Sequence, residues 1–292
     1  MAEPALEREL AALPADPRQL AARLEYAKDS ARRIWDPPRM PWFTDHTPDN
    51  HSLRIVHLLS QTLEHLQTTP RRLQPVELFL LLSACYLHDI GMQDLAKNGL
   101  PHQRFTEAEW DLVRDEHPSI VKDWIVTRTR ATNTTQFRID LGDKPEPYLE
   151  LLALICQGHG SKFFDATVAD LDRIHDRFDG YPIRGAMLTA LLMMGDELEI
   201  NQQRATPAKE ENPREAVSEL HHSVNMYATS VSVGSAAVDT SRQPTIELTT
   251  PADENLVWLV TDWLGRSSRL RRAAATRSSS VRATGSCGSK SR

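Results

Sequence analysis

The run Val76-Glu77-Leu78-Phe79-Leu80-Leu81-Leu82-Ser83-Ala84-Cys85-Tyr86-Leu87 is apolar almost all round, and it ends on His88-Asp89. A helix with no polar side is stable only where other elements cover every face, so this stretch is expected to lie at the centre of a bundle. The helix is expected over 75–90, stopped by Gly91. Its terminal imidazole and carboxylate then sit against the interior, where an unpaired carboxylate is costly. Asp196, flanked by Leu192, Met193, Met194 and Leu198, poses the same electrostatic problem in a second apolar helix. A divalent cation accepts imidazole nitrogen and carboxylate oxygen together, so one ion would answer both.

The remaining pattern is helical for most of its length. Residues 4–35 read as two helices separated by Pro14-Ala15-Asp16-Pro17, with a proline-rich connector from Asp36-Pro37-Pro38 to Pro41. A third helix begins near Asn50 or His51, with Val56, Leu59, Leu63 and Leu66 at helical spacing. Thr106 and Glu109 are placed as a capping box for a helix reaching about Arg130, followed by a polar loop from Thr127 to Pro147. Helices are expected over 148–157, 167–178 and 183–200. Strand signals come late, at Tyr227 to Val233 and Thr245 to Leu248, as a small hairpin, and a short helix follows at Leu256 to Leu264. The fold class is therefore mainly all-α. Four units are expected: an N-terminal helical segment (1–40), a catalytic helical domain (41–225), a hairpin-plus-helix appendage (226–265) and a disordered basic Ser/Arg-rich tail (266–292), the last too poor in apolar residues to offset its ordering entropy.

Composition narrows the function classes. The 292 residues are 40% hydrophobic and carry a net charge of −6. From Arg266 onward there are eight basic residues and no acidic ones, which leaves 26 basic against 40 acidic residues in the body. An acidic body disfavours wrapping duplex nucleic acid. Three scattered cysteines, Cys85, Cys156 and Cys287, argue against a disulfide framework and fit a cytoplasmic setting. The apolar runs Leu78 to Leu87 and Ala186 to Gly195 fall short of the roughly 20 residues that span a bilayer, and read as core helices. The charged N-terminus has no signal-peptide character.

Four histidine-bearing segments lie at or near predicted helix ends or boundaries: His51 in Asn50-His51-Ser52, His88 in Leu87-His88-Asp89-Ile90-Gly91, His117 in Glu116-His117-Pro118, and His159 in Gly158-His159-Gly160. Singly, each is more often a satisfied core or capping group than a ligand. His57, His65, His102, His175, His221 and His222 stand in no motif.

Taken in order, His51, then His88-Asp89, then Asp196 resembles the H…HD…D signature of the HD superfamily of metal-dependent phosphohydrolases, with Tyr86-Leu87-His88-Asp89-Ile90-Gly91-Met92 similar to its central motif. His117 and His159 resemble the additional histidines of branches that bind two metals, including the HD-GYP phosphodiesterases. Phe43-Thr44-Asp45-His46-Thr47-Pro48-Asp49-Asn50-His51 and Gly195-Asp196-Glu197-Leu198-Glu199-Ile200-Asn201-Gln202-Gln203-Arg204 look most like the bacterial HD-CE branch, often fused to or encoded beside ATPase modules of the heat-shock-protein-90 type. The resemblance covers about residues 40–250. Gly160-Ser161 stands where HD-GYP proteins complete their Gly-x-Gly-Tyr-Pro motif, and Asp179-Gly180-Tyr181-Pro182 comes too late to replace it, so cyclic-dinucleotide hydrolysis is disfavoured.

The resemblance implies an HD-type helical bundle in which His51, His88, Asp89 and Asp196 hold one divalent metal. Asp89 would bridge to a second held by His117 and His159, with Mn, Mg, Fe, Ni or Co as the ion and one or two ions in all. His88 and Asp89 are the implied catalytic pair, water acidified by the cation the nucleophile, and a phosphoester of a nucleotide or related small molecule the substrate. His46, Lys162 and Arg204 are candidates for contacting the substrate phosphate, although Arg204 could instead brace Glu197 or Asp196 and Lys162 could be merely solvated. The alternative is a non-catalytic metal-binding scaffold that partners an ATPase module. No membrane role is expected.

Overall fold

The computed structural model describes residues 3–13, 18–36, 43–93, 107–130, 137–174, 177–178, 180–205, 216–233 and 244–248. Among them the chain is a helical bundle, as its periodicity predicts. Helix α4 (Pro75–Leu87) is the axis: every residue from Val76 to Leu87 is buried, covered by α1 (Ala5–Ala11), α2 (Leu20–Trp35), α3 (Leu53–Gln67), α6 (Glu146–Gln157) and α8 (Gly185–Leu198). The stretch Pro75–Gln93 is long and apolar enough to cross a membrane by composition, yet 94% of it is buried inside the bundle, the signature of a core helix.

Helix α4 starts at a capping box. The Gln74 amide donates to Glu77 Oε2 at 2.9 Å, with Pro75 in the first turn, where its missing N–H costs nothing. The fully buried Glu77 carboxylate also accepts from Arg184, by Nε at 2.9 Å and Nη2 at 2.5 Å, just before α8. This pair ties the beginning of α8 to the beginning of α4. With a helical rise of about 1.5 Å per residue, Glu77 to His88 and Arg184 to Asp196 climb about 17 and 18 Å, so the far ends of α4 and α8 arrive level. His88 and Asp196 meet there, 3.8 Å apart.

The N-terminal helices share the same core. Leu6, Leu10, Leu20, Leu24, Ala27, Ala31 and Ile34 are buried with α4. Glu7 lies buried between Lys28 Nζ, at 2.9 Å, and the Tyr86 hydroxyl, at 2.6 Å, so that α1, α2 and α4 are joined by one satisfied polar cluster.

Several boundaries differ from the sequence reading. Helix α4 stops at Leu87, ahead of the expected Ile90, and His88-Asp89 lies on a turn followed by a 3-10 segment, Ile90–Gln93. Gly91 permits this: a Cβ there would stand 2.3 Å from the carbonyl oxygen of His117, because the turn packs directly on the backbone of α5 (Glu107–Arg128). The helix expected over 167–178 is instead α7 (Phe164–Leu171), and Arg177–Phe178 is a short strand, β1, paired antiparallel with β2 (Tyr181–Pro182). Gly180, at φ 84°, makes that reversal possible where a side chain would be strained. Helix α9 (Ala216–Tyr227) was not expected, and it precedes the expected late hairpin of β3 (Ala228–Val233) and β4 (Pro244–Leu248). Thr106 of the expected capping box, the helix at 256–264 and the tail 266–292 lie outside the described residues.

Candidate metal centre

Four imidazoles converge at the end of α4, each oriented by its Nδ1. His51 sits in a single π-helical turn, Pro48–Ser52, an irregularity frequent at functional sites, and its Nδ1 donates to Glu199 Oε2 at 2.8 Å. His88 caps α4 and donates Nδ1–H to the Cys85 carbonyl at 3.0 Å. His159, just past α6, does the same to the Cys156 carbonyl. His117 donates to the Arg114 carbonyl at 2.8 Å. That carbonyl would ordinarily take the amide of residue 118, but Pro118 inside α5 has no N–H, so the proline frees the acceptor that aims His117.

With Nδ1 committed, each ring has Nε2 left for the centre. His51 Nε2 lies 3.1 Å from Asp196 Oδ1 and 3.4 Å from Asp89 Oδ2, and His88 Nε2 lies 3.1 Å from Asp89 Oδ2. His117 and His159 point Nε2 at the other oxygen, Asp89 Oδ1, at 3.2 and 3.6 Å. The donor atoms thus form two groups: His51, His88, Asp89 and Asp196, and Asp89, His117 and His159, with the atoms of each group within 4.8 Å of one another.

These residues fit a metal on a physical test. Buried polar atoms are almost always satisfied, yet His51 Nε2, His88 Nε2 and Asp89 Oδ2 are buried with no directed hydrogen bond. Three lone-pair donors that face one another in the interior call for a cation. The charges agree. In the metal-free protein, burial and the Arg204 charge push the His51 pKa down, but Asp196, Asp89 and Glu199 override them and raise it to about 9. Burial likewise opposes the His88 imidazolium, and Asp89 with Asp196 raises its pKa to about 10. Burial disfavours the Asp89 and Asp196 carboxylates, yet the surrounding imidazoles hold both well below the usual carboxylate range.

The profile of the HD-CE family matches residues 40–271. The chain belongs to the HD-CE family. No curated protein and no solved structure matches the chain. The HD-CE match begins beyond α2, so the N-terminal helices that complete the core of this HD domain lie outside it.

The remaining site residues separate clearly. His46 stands beside the HD centre, its ring 5.3 Å from that of His51 and stacked at 6.4 Å on Trp35, with Nδ1 on the Thr44 carbonyl. Burial and the nearby Arg204 charge hold its pKa well below the ordinary value, so the ring is neutral. Arg204 is buried, and its guanidinium is engaged by the Glu199 carbonyl at 3.0 Å, Glu199 Oε2 at 3.1 Å and the Asp45 carbonyl at 2.9 Å. It braces Glu199, where the sequence reading offered Glu197 or Asp196. Lys162 lies at the surface, paired at 2.6 Å with Glu116, the residue before His117.

Glu199 is the residue that sequence reasoning missed. Its signal was a carboxylate one helical turn after Asp196 and five residues before an arginine, directly beyond an apolar helix. Nothing local tells it from the neighbouring Glu197.

Proposed function

We propose that this HD-CE domain is a metal-dependent phosphohydrolase that cleaves a phosphoester of a nucleotide or related phosphorylated small molecule in the cytoplasm. The observation that carries the reading is Asp89, a buried carboxylate whose two oxygens face two separate sets of imidazole donors. A divalent cation held by such a set supplies Lewis acidity toward phosphoryl oxygen and acidifies water toward neutrality.

The protein's own residues do the rest. The imidazoles of His51 and His88 on one side and of His117 and His159 on the other are fixed before substrate arrives, because every Nδ1 is already bonded. Asp196 is the most open of these groups, its side chain 29% exposed against 7% for Asp89, so substrate approaches from the α8 side. His46 places a neutral imidazole beside His51; with its Nδ1–H given to the Thr44 carbonyl, its Nε2 is suited to accept a hydrogen bond from a substrate hydroxyl. Lys162 is the remaining cationic candidate for the phosphate. An exposed pair such as Lys162–Glu116 is weak, so its ammonium can exchange Glu116 for a phosphate oxygen. Arg204 is assigned instead to holding Glu199, whose Oε2 its Nη1 meets at 3.1 Å.

The test is turnover of a phosphodiester and nucleotide panel by purified protein supplied with Mn, Mg, Ni or Co. Activity is expected with at least one ion and is lost in His88→Ala and Asp89→Ala. Stoichiometric metal without turnover on any substrate would overturn the enzymatic reading in favour of a scaffold that partners an ATPase module.

A further inference from the structure

Three of the four imidazoles at the centre donate Nδ1–H to a backbone carbonyl within their own stretch of chain: His88 to Cys85, His117 to Arg114 and His159 to Cys156. His51 departs from this pattern. Its Nδ1 reaches a carboxylate 148 residues along the chain, Glu199, which is 2% exposed.

Glu199 is itself held on both oxygens. Oε2, the oxygen on His51, takes Arg204 Nη1 at 3.1 Å, and Oε1 accepts from the Asn201 side chain. Arg204 is fixed in turn by the Glu199 and Asp45 carbonyls, while the Asp45 amide donates to the Arg204 carbonyl at 3.0 Å. The Asn201 amide donates at 3.0 Å to Asn225 Oδ1 on α9. A carboxylate engaged in this way has both oxygens bonded and its charge balanced by a guanidinium. It is unsuited to be a metal donor and well suited to hold an imidazole proton.

We infer that Glu199 is a positioning residue for His51. It fixes the tautomer that leaves Nε2 as the lone-pair donor, makes that nitrogen more basic, and keeps the ring turned toward Asp89 and Asp196, with Arg204 holding Glu199 in place. This rests on the reading of the cluster as a metal centre. A carboxylate behind a ligating imidazole raises the donor strength of the far nitrogen, and loss of such a partner typically weakens metal binding about 10–100-fold. A purely structural role, pinning residues 199–204 to residues 45–51, would lower stability without selecting between the two sets of donors.

The experiment is calorimetric titration of the full chain with Mn(II), for wild type, Glu199→Gln and Glu199→Ala. The amide of Gln keeps an acceptor for Nδ1–H but loses the charge, so the expected result is graded: about tenfold weaker binding of one ion in Glu199→Gln and about a hundredfold in Glu199→Ala. The ion served by His117 and His159 changes less than about threefold. Equal weakening of both ions, or wild-type affinity for both in the variants, overturns the inference while leaving the metal centre standing. Wild-type protein that binds no cation overturns the underlying reading instead. If neither variant folds, the ¹⁵N shifts of the His51 ring in the metal-loaded wild type decide: a protonated Nδ1 hydrogen-bonded to a carboxylate supports the role, and a proton-free Nδ1 overturns it.

Discussion

Asp89 Oδ1 lies 3.2 Å from Nε2 of His117, while its Oδ2 faces His51 and His88. One carboxylate therefore belongs to both sets of donors, and removing a residue from either side has different consequences.

His117→Ala is expected to reduce bound metal from two ions to one per chain, and Asp89→Ala to abolish both, because among the described residues only Asp89 contributes to each set. Elemental analysis after dialysis against limiting Mn(II) measures this. Two ions retained in His117→Ala would refute the division.

The stability of the protein should depend on pH in opposite senses with and without metal. In the metal-free protein the His51 and His88 pKa values are raised to about 9 and about 10. Their contribution is fully present below the ordinary histidine pKa of about 6.5 and is lost as pH rises through 9 to 10. Asp89 and Asp196 act the other way, contributing above the ordinary carboxylate value and failing only in strong acid. A cation requires neutral imidazole, so metal binding displaces those protons and strengthens as pH rises. The rise in Tm on adding Mn(II) should therefore grow between pH 6 and pH 9. Thermal melts across that range check it, and a constant increment would contradict it.

Pro118→Ala restores an amide that competes with His117 Nδ1 for the Arg114 carbonyl. Helix α5 should tolerate the change, since alanine is the better helix former, while the ion held by His117 and His159 binds about tenfold more weakly. Mn(II) titration beside a thermal melt separates the two effects. Unchanged affinity for both ions would show that the proline has no part in aiming His117.

Lys28→Met leaves the buried Glu7 carboxylate with the Tyr86 hydroxyl and, among the described residues, no cation paired with it. Breaking such a pair from one side costs about 3–5 kcal/mol. Urea unfolding should show a loss of that size, with Mn(II) affinity unaltered at temperatures where the variant is folded. A loss below about 1 kcal/mol would mean that α1 is not tied to the core through this cluster.

Much of this architecture is legible along the chain. The all-apolar run over 76–87 demands a central position, and it has one; the apolar flanks of Asp196 put that carboxylate in a core helix, and it lies in α8. His51, His88 and His159 stand at helix ends or irregularities, as their motifs place them, whereas His117 lies inside α5 and is brought to the centre by the packing of that helix against the turn after α4. The short hairpin over 177–182 escaped the sequence reading because strands of two residues are too brief to show a period.

Sequence by itself determined which helices form the core and which types of donor are available, since an apolar face follows from helical periodicity and ligand chemistry from side-chain identity. Only the tertiary structure decided which buried charge answers which. Arg204 pairs with Glu199 and not with Glu197 or Asp196, His51 takes its orientation from a carboxylate 148 residues away, and the two oxygens of Asp89 serve different imidazoles. The partner of a buried charge is set by where distant helices end against one another. Here that depends on Glu77 gripping Arg184 so that α4 and α8 finish level, a three-dimensional relation that no local spacing contains.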